Sequence, residues 1–272
     1  MKYSIEELKN IAKNVRRGIV DAVYSAQSGH PGGALSCADI LTYLYFNEMN
    51  IEPSNPKMEN RDRFILSKGH ASPAIYSVLA NRGFFPVEDL KTFRKTDSYL
   101  QGHPDIKKVP GVDMTSGSLG QGLSVANGMA LAGKLDNKDY YVYVVLGDGE
   151  IQEGQVWEAA MSSAHYKLNN LIAFVDFNGL QIDGAVKDVM NSLPIKEKFE
   201  AFGWNTIEID GHNFSEIEDA IKKAKESKDR PTVIVAHTIK GKGVSFMENQ
   251  SSWHGKAPND EEYKTALEEL NR

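Results

Sequence analysis

Apolar positions recur at helical spacing from the start of the chain. Ile5, Leu8, Ile11, Val15 and Ile19 mark a helix within residues 4–27, and Ser4 with Glu7 can form a capping box at its start. Ala38–Asn47 carries a second helical pattern, and the polar, proline-containing IEPSNPKMENRDR that follows predicts a loop. RFILSKGH predicts a short strand ending in a Gly-His turn. Ser72–Asn81 predicts a helix and Val87–Thr92 a shorter one. Residues 97–120 are dominated by Gly, Pro, Asp and Ser; a loop of that length inside a compact domain usually serves function. Small and apolar residues from Gly122 to Leu135 predict a closely packed helix.

The pattern then changes. YYVYVVL (Tyr140–Leu146) is an almost unbroken β-forming run, as a strand covered on both faces requires. LIAFVD (Leu171–Asp176), Trp204–Ile209 and TVIVAH (Thr232–His237) add three more strands, with helical patterns between them at Glu153–Tyr166 and Ser215–Glu226. A short acidic helix, EEYKTALEEL, follows near the end. The alternation predicts an α/β fold: a doubly wound, mainly parallel sheet with helices on both faces. No repeat, low-complexity segment or linker divides the chain, so residues 1–272 read as a single domain.

Composition narrows the function classes. With 41% hydrophobic and 25% charged residues the chain is an ordinary globular one. A net charge of −6 without a dense Lys/Arg run argues against nucleic acid. No apolar run approaches the ~18 residues of a membrane span. The charged opening MKYSIEELKNIAKNVRRGIV is no secretory signal. Cys37 is the one cysteine; it lies in an apolar helical stretch, where it reads as a buried small hydrophobe, and a cytoplasmic location is expected.

Chemistry concentrates at the strand ends, where open parallel sheets bind ligands. LGDGEIQEGQVWEA (Leu146–Ala159) places Gly147–Asp148–Gly149 after one buried strand; glycines let backbone approach a phosphate while the carboxylate faces the crevice. Gln152 stands where a dinucleotide motif needs a third glycine, and there is no Walker loop. The next strand ends in Asp176–Phe177–Asn178–Gly179–Leu180, offering an amide oxygen at Asn178 and a carbonyl at Leu180. Each turn alone is ordinary turn chemistry. Together, at neighbouring strand ends, they favour a hard cation shared with a diphosphate. His30, His70, His103 and His254 each stand beside glycine in loops, whereas His165, His212 and His237 read as structural. No histidine pair has zinc spacing. Glu153 and Glu158 are candidate acids, but they lie five residues apart and off one helical stripe.

An ordered series of segments resembles the transketolase family across residues 15 to 258: SGHPGG, LSKGHASPAIY, QGHP, TSGSLGQG, GDGEIQEGQVWEA, LIAFVDFNGLQIDG, TIKGKG and SWHG. The resemblance implies thiamine diphosphate as cofactor, held through Mg2+ (with Ca2+ or Mn2+ as substitutes). Its implied ligands are Asp148, Asn178 and the Leu180 carbonyl. Gly149, Asn178, Lys240, His70 and His254 would contact the cofactor, and Gly117, Ser118 and Leu119 would line its pocket. Ser118 stands where the family often has proline. His30, His103 and His254 would serve the substrate and its protons, a task suited to imidazole. Glu153 would lie near a subunit interface, with Trp157 and Glu158 structural.

The same resemblance implies what lies elsewhere. The glutamate that activates the cofactor belongs to a pyrimidine-binding domain, and the phosphate-recognising arginines to a later domain. The chain thus resembles the N-terminal subunit of a split transketolase, paired with a C-terminal transketolase subunit in an α2β2 assembly and acting on sugar phosphates. The related alternatives are a 1-deoxyxylulose-5-phosphate synthase-like protein and a 2-oxo acid dehydrogenase α subunit, both disfavoured by the GHP and SWHG segments. A noncatalytic assembly subunit is disfavoured by the intact Asp148, Asn178 and loop histidines.

Overall fold

Ser4 caps the first helix as its spacing predicts: its side chain accepts from the Glu7 N–H while Glu7 reaches back to the Ser4 N–H. The computed structural model describes residues 2–271. From that cap α1 runs Ile5–Ala26, followed by α2 (Pro31–Ser36) and α3 (Ala38–Tyr43), the latter continuing into a five-residue π-helical turn, Leu44–Glu48. Then come β1 (Arg63–Leu66), a single 3-10 turn at Gly69–Ala71, and α4 (Ser72–Arg82). Val87–Thr92 is 3-10 rather than α-helical, and residues 97–120 hold neither helix nor strand.

The second half comprises α5 (Gly122–Leu135), β2 (Val142–Gly147), α6 (Gly154–His165), β3 (Leu171–Phe177), a two-stranded hairpin of β4 (Leu180–Gln181) and β5 (Gly184–Ala185), α7 (Val186–Val189), α8 (Ile195–Ala201), β6 (Asn205–Asp210), α9 (Phe214–Lys225), β7 (Thr232–His237) and α10 (Asp260–Leu270). Five strands form one sheet in the order β1-β2-β3-β7-β6, every neighbouring pair parallel. The chain therefore passes β7's place to reach the far edge at β6 and returns.

Both faces of the sheet are covered, which is why its strands read as unbroken apolar runs. Alternate residues Tyr143, Val145, Ile172, Phe174 and Ile234 join a core with α1, α3, α4 and α9. Val142, Val144, Ala173, Val175 and Val233 face the other way, onto α5, α6 and α8. Each Val, Ile and Phe among them contributes ~1.5–3 kcal/mol by leaving water. Trp157 belongs to the second layer: its indole N–H donates to the Ile151 carbonyl at 2.9 Å and its ring packs on Phe199. Cys37 is fully buried, as its surroundings predict, and burial pushes its thiol up to about 11. Among the described residues no helix is long and apolar enough to cross a membrane.

Candidate active site

β2 and β3 are parallel neighbours in register, Gly147 opposite Asp176, so the turns that follow them emerge side by side. Asp148 is buried there, its carboxylate accepting the N–H of Gly149 at 2.8 Å and of Gly179 at 2.5 Å. Gly179 has φ +75°, a conformation glycine adopts without strain. The Asn178 side-chain oxygen accepts from the Leu180 N–H at 3.1 Å, and the Leu180 carbonyl accepts from the Lys240 ammonium at 3.0 Å. Asp148, Asn178 and Leu180, separated by some thirty residues in sequence, thus share one corner of the sheet edge.

Electrostatics prepare that corner for a cation. Burial, reinforced by the Asp176 carboxylate, pushes Asp148 up to about 6. A buried carboxylate beside a second carboxylate is stabilised by an added positive ion, whereas the Lys240 ammonium on the Leu180 carbonyl opposes one and would have to turn to the ligand's phosphates. The donors are a carboxylate, an amide oxygen and a carbonyl, the hard set that magnesium takes together with ligand phosphates. No cluster of three or more His, Cys, Asp or Glu able to hold a metal occurs among the described residues. The residues present therefore fit a magnesium–diphosphate, with the phosphates completing the shell.

A second layer of charge lies beneath. Asp176, fully buried, accepts from Ser36 Oγ at 2.5 Å, from Thr238 Oγ1 at 2.5 Å and from the Lys68 ammonium. Lys68 also donates to the Gly33 carbonyl at 2.7 Å. Lys240 is 2% exposed; burial, then the Lys68 charge, push it down to about 8. Glu150 straps the pocket loop to the strand end: its carboxylate accepts from the Gly120 N–H at 3.0 Å, the Gly147 N–H at 2.9 Å and the Ser67 hydroxyl. That strap fixes the segment carrying Gly117, Ser118 and Leu119, of which Ser118 and Leu119 are exposed. Gly117 lies against His103, where an added Cβ would stand 3.5 Å from the imidazole.

The loop histidines converge. His30, at the start of α2, has its ring centroid 5.2 Å from that of His70 and 5.4 Å from that of His254, and His70 and His254 are 5.1 Å apart. His254 Nδ1 stands 3.1 Å from Lys240 Nζ, which joins this cluster to the Leu180 carbonyl. Burial, then the Arg94, His103 and Lys240 charges, push His30 down to about 4; burial and Lys240 push His254 to about 3. Burial and Lys68 hold His70 well below the usual range, and burial lowers His103 as well. Burial and neighbouring cations thus disfavour the charged forms of all four rings.

Every site residue predicted from the sequence lies at this edge. The remaining three histidines stay outside the imidazole cluster. His212 is fully paired; His237 ends β7, exposed and 3.7 Å from Glu208; His165 stands at the end of α6 rather than its middle. Glu153 and Glu158 are exposed. Sequence reasoning assigned no role to Ser36, Lys68, Glu150, Asp176 or Thr238, although most lie inside the segments it singled out. Arg94 was also missed. It has a left-handed φ of 59°, donates to Ser28 Oγ at 2.7 Å and adds its charge beside His30 and His103.

Comparison with known proteins agrees with this geometry. The model of the transketolase, thiamine diphosphate binding domain family matches residues 7–271. A 6-deoxy-6-sulfo-D-fructose transketolase subunit of Clostridium sp. (strain MSTE9) is 43% identical over 266 residues, covering 98% of this chain and 97% of that protein. An apulose-4-phosphate transketolase subunit of Phocaeicola vulgatus is 42% identical, with 98% and 94% covered. Human transketolase is 43% identical over 258 residues, 94% of this chain but 40% of that longer protein. The crystal structure of transketolase from Campylobacter jejuni superposes with a TM-score of 0.93 at 37% identity, covering 99% of this chain and 43% of that one. The chain belongs to the transketolase family, as a thiamine diphosphate binding domain.

Proposed function

We propose that the chain is the N-terminal subunit of a two-chain transketolase that moves a two-carbon ketol unit from a ketose phosphate to an aldose phosphate. The observation that carries this reading is the three-histidine face joined through Lys240 to the Asp148–Asn178–Leu180 corner. Thiamine diphosphate, when bound, supplies a nucleophilic carbon able to accept the ketol unit. Asp148, Asn178 and the Leu180 carbonyl would hold its magnesium. Gly149, Asn178 and Lys240 would hold the diphosphate end, His70 and His254 would contact the cofactor, and Gly117–Leu119 would form the pocket wall.

This chain's own contribution to the chemistry is proton handling and exclusion of water. His30, His103 and His254 are neutral at pH 7, so each ring can donate from one nitrogen and accept at the other. Set against the oxygens of a sugar, such rings orient the carbonyl and move a proton to or from the developing alkoxide. His30 Nδ1 is buried and finds no partner among the described residues, so the ring keeps unused hydrogen-bonding capacity at this site.

Two relatives called transketolase subunits match this chain over nearly their full length, which supports a separate C-terminal partner carrying the cofactor-activating glutamate and the phosphate-recognising arginines. Exposed Leu135 and Met161 on α5 and α6, and Ile182 and Met190 beside the site, are apolar surface suited to burial in an α2β2 assembly. The buried free Cys37 accords with a reducing, cytoplasmic setting.

The test reconstitutes the chain with a C-terminal transketolase subunit. It assays ketol transfer from xylulose 5-phosphate to ribose 5-phosphate, then with apulose 4-phosphate and 6-deoxy-6-sulfofructose as donors. Transfer is expected only with both chains present. Asp148→Ala should remove magnesium-dependent cofactor binding in calorimetry. Robust turnover by this chain alone would refute the split-enzyme reading, and unchanged cofactor affinity in the Asp148 variant would refute the metal assignment.

A further inference from the structure

Beside the turn that follows β7, three charged or titratable side chains from distant parts of the chain form one largely buried cluster. Arg16 of α1 makes a two-pronged pair with Asp39 of α3, Nη1 to Oδ1 at 2.9 Å and Nη2 to Oδ2 at 2.6 Å. His212, in the turn between β6 and α9, places Nδ1 2.7 Å from Asp39 Oδ2. Its other nitrogen, Nε2, lies 2.9 Å from the backbone nitrogen of Ile239, whose N–H donates to it. These partners fix the tautomer: Nδ1 carries the proton and donates to Asp39, and Nε2 is the acceptor. The third donor of Arg16, Nε, reaches the Lys242 carbonyl at 3.1 Å.

The two backbone groups this cluster holds flank Lys240. Ile239 is fastened by its N–H and Lys242 by its carbonyl, and the lysine between them carries its ammonium to the Leu180 carbonyl and His254. The turn leaves little slack. Gly241 has φ +79°, an added Cβ there would meet the Met247 carbonyl oxygen at 2.4 Å, and its N–H donates to the Gly32 carbonyl at 2.9 Å. A buried lysine with a long, rotatable stem needs such a fixed base if its charge is to stand at one place. A buried ion pair repays its desolvation only when its geometry is good and its remaining polar atoms are satisfied. Here all three nitrogens of Arg16 and both nitrogens of His212 have partners.

We propose that Arg16, Asp39 and His212 are positioning residues for Lys240: they clamp the Ile239–Lys242 turn and so set where the ammonium meets the cofactor's phosphate. This rests on the reading of Lys240 as a diphosphate contact. Two substitutions separate the bonds of His212. His212→Asn keeps a side-chain donor near the Nδ1 position for Asp39 but lacks the acceptor for Ile239. His212→Gln reaches Ile239 with its amide oxygen and gives up the Asp39 contact.

The readouts are amide hydrogen exchange at Ile239 in this chain and calorimetric affinity for magnesium–thiamine diphosphate in the chain assembled with its partner subunit. Lys240→Met is the control. Loss of one hydrogen bond of this kind corresponds to roughly a tenfold change in an equilibrium. His212→Asn should therefore speed exchange at Ile239 and weaken cofactor binding by about tenfold each. His212→Gln should retain most of both. Equal losses in the two variants, following their melting temperatures, would overturn the proposal in favour of a purely structural triad. So would unchanged cofactor affinity in His212→Asn while Lys240→Met weakens it. If Lys240→Met itself leaves affinity unchanged, the diphosphate contact fails first, and the positioning role with it.

Discussion

Asp176→Asn removes one charge from the best-buried ion pair among the described residues, and the structure fixes what that should cost. The carboxylate is 0% exposed and ties together α2 through Ser36, the end of β1 through Lys68 and the end of β7 through Thr238. An asparagine keeps the shape, but it leaves the Lys68 ammonium with the Gly33 carbonyl alone and turns an NH2 toward existing donors. Breaking one side of a buried pair costs ~3–5 kcal/mol. The escape route is for Lys68 to lose its proton. From a reference value of 10.5, that costs about 5 kcal/mol at pH 7, so relief through deprotonation brings no discount.

The two routes differ in their pH dependence. In the native chain the pair holds the Lys68 pKa above 10.5, so its stabilisation is complete below that value and is lost only as pH rises beyond it. In the variant the folded pKa is depressed instead, so the destabilisation should shrink as pH climbs, by up to ~1.4 kcal/mol per unit. Urea unfolding followed by tryptophan fluorescence at pH 7 and pH 9 measures both quantities. A loss below ~1 kcal/mol would refute the buried-charge argument. A gap of constant size across that pH range would refute the deprotonation argument.

The histidine cluster should make the free chain acid-labile. His30 and His254 have folded pKa values of about 4 and about 3 against 6.5 unfolded, so their stabilisation is complete above pH 6.5 and is lost as pH falls toward 4. Because both rings are only partly buried, the combined loss should be on the order of 1–2 kcal/mol, and His254→Asn should flatten the profile in a thermal-melt series. A melting temperature independent of pH between 7 and 5 would contradict this. Two glycines of α5 should respond with opposite sign. Gly122→Ala would set a Cβ 2.3 Å from Ser67 Oγ and 2.8 Å from its Cα, costing ~1–3 kcal/mol and loosening the Glu150 strap. Gly128 has nothing within 4 Å, so Gly128→Ala should stabilise the isolated chain by ~0.5–1 kcal/mol through helix propensity. Equal melting temperatures for the two variants would refute the packing account.

What the sequence made legible follows from which signals are local. The buried runs Tyr140–Leu146, Leu171–Asp176 and Thr232–His237 announced their strands because both faces are covered. The glycines beside Asp148 and Asn178 announced the site because close approach of backbone to a ligand is a local demand. Short elements without room for a period escaped: α2, which Pro31 starts and which ends before Cys37, the β4–β5 hairpin, and the seven-residue α8. Lys68 escaped for a different reason. A lysine beside Gly-His reads as solvated, and only the fold brings it to an aspartate 108 residues away, itself 140 residues from its Ser36 donor. His212 is the instructive case. Its DGHN turn reads as structural, yet the partner it holds, the Ile239 N–H, adjoins the lysine that reaches the candidate site. Whether a paired histidine serves stability or function is therefore decided by what lies one residue beyond its hydrogen bond, a property of the folded edge that no spacing in the sequence contains.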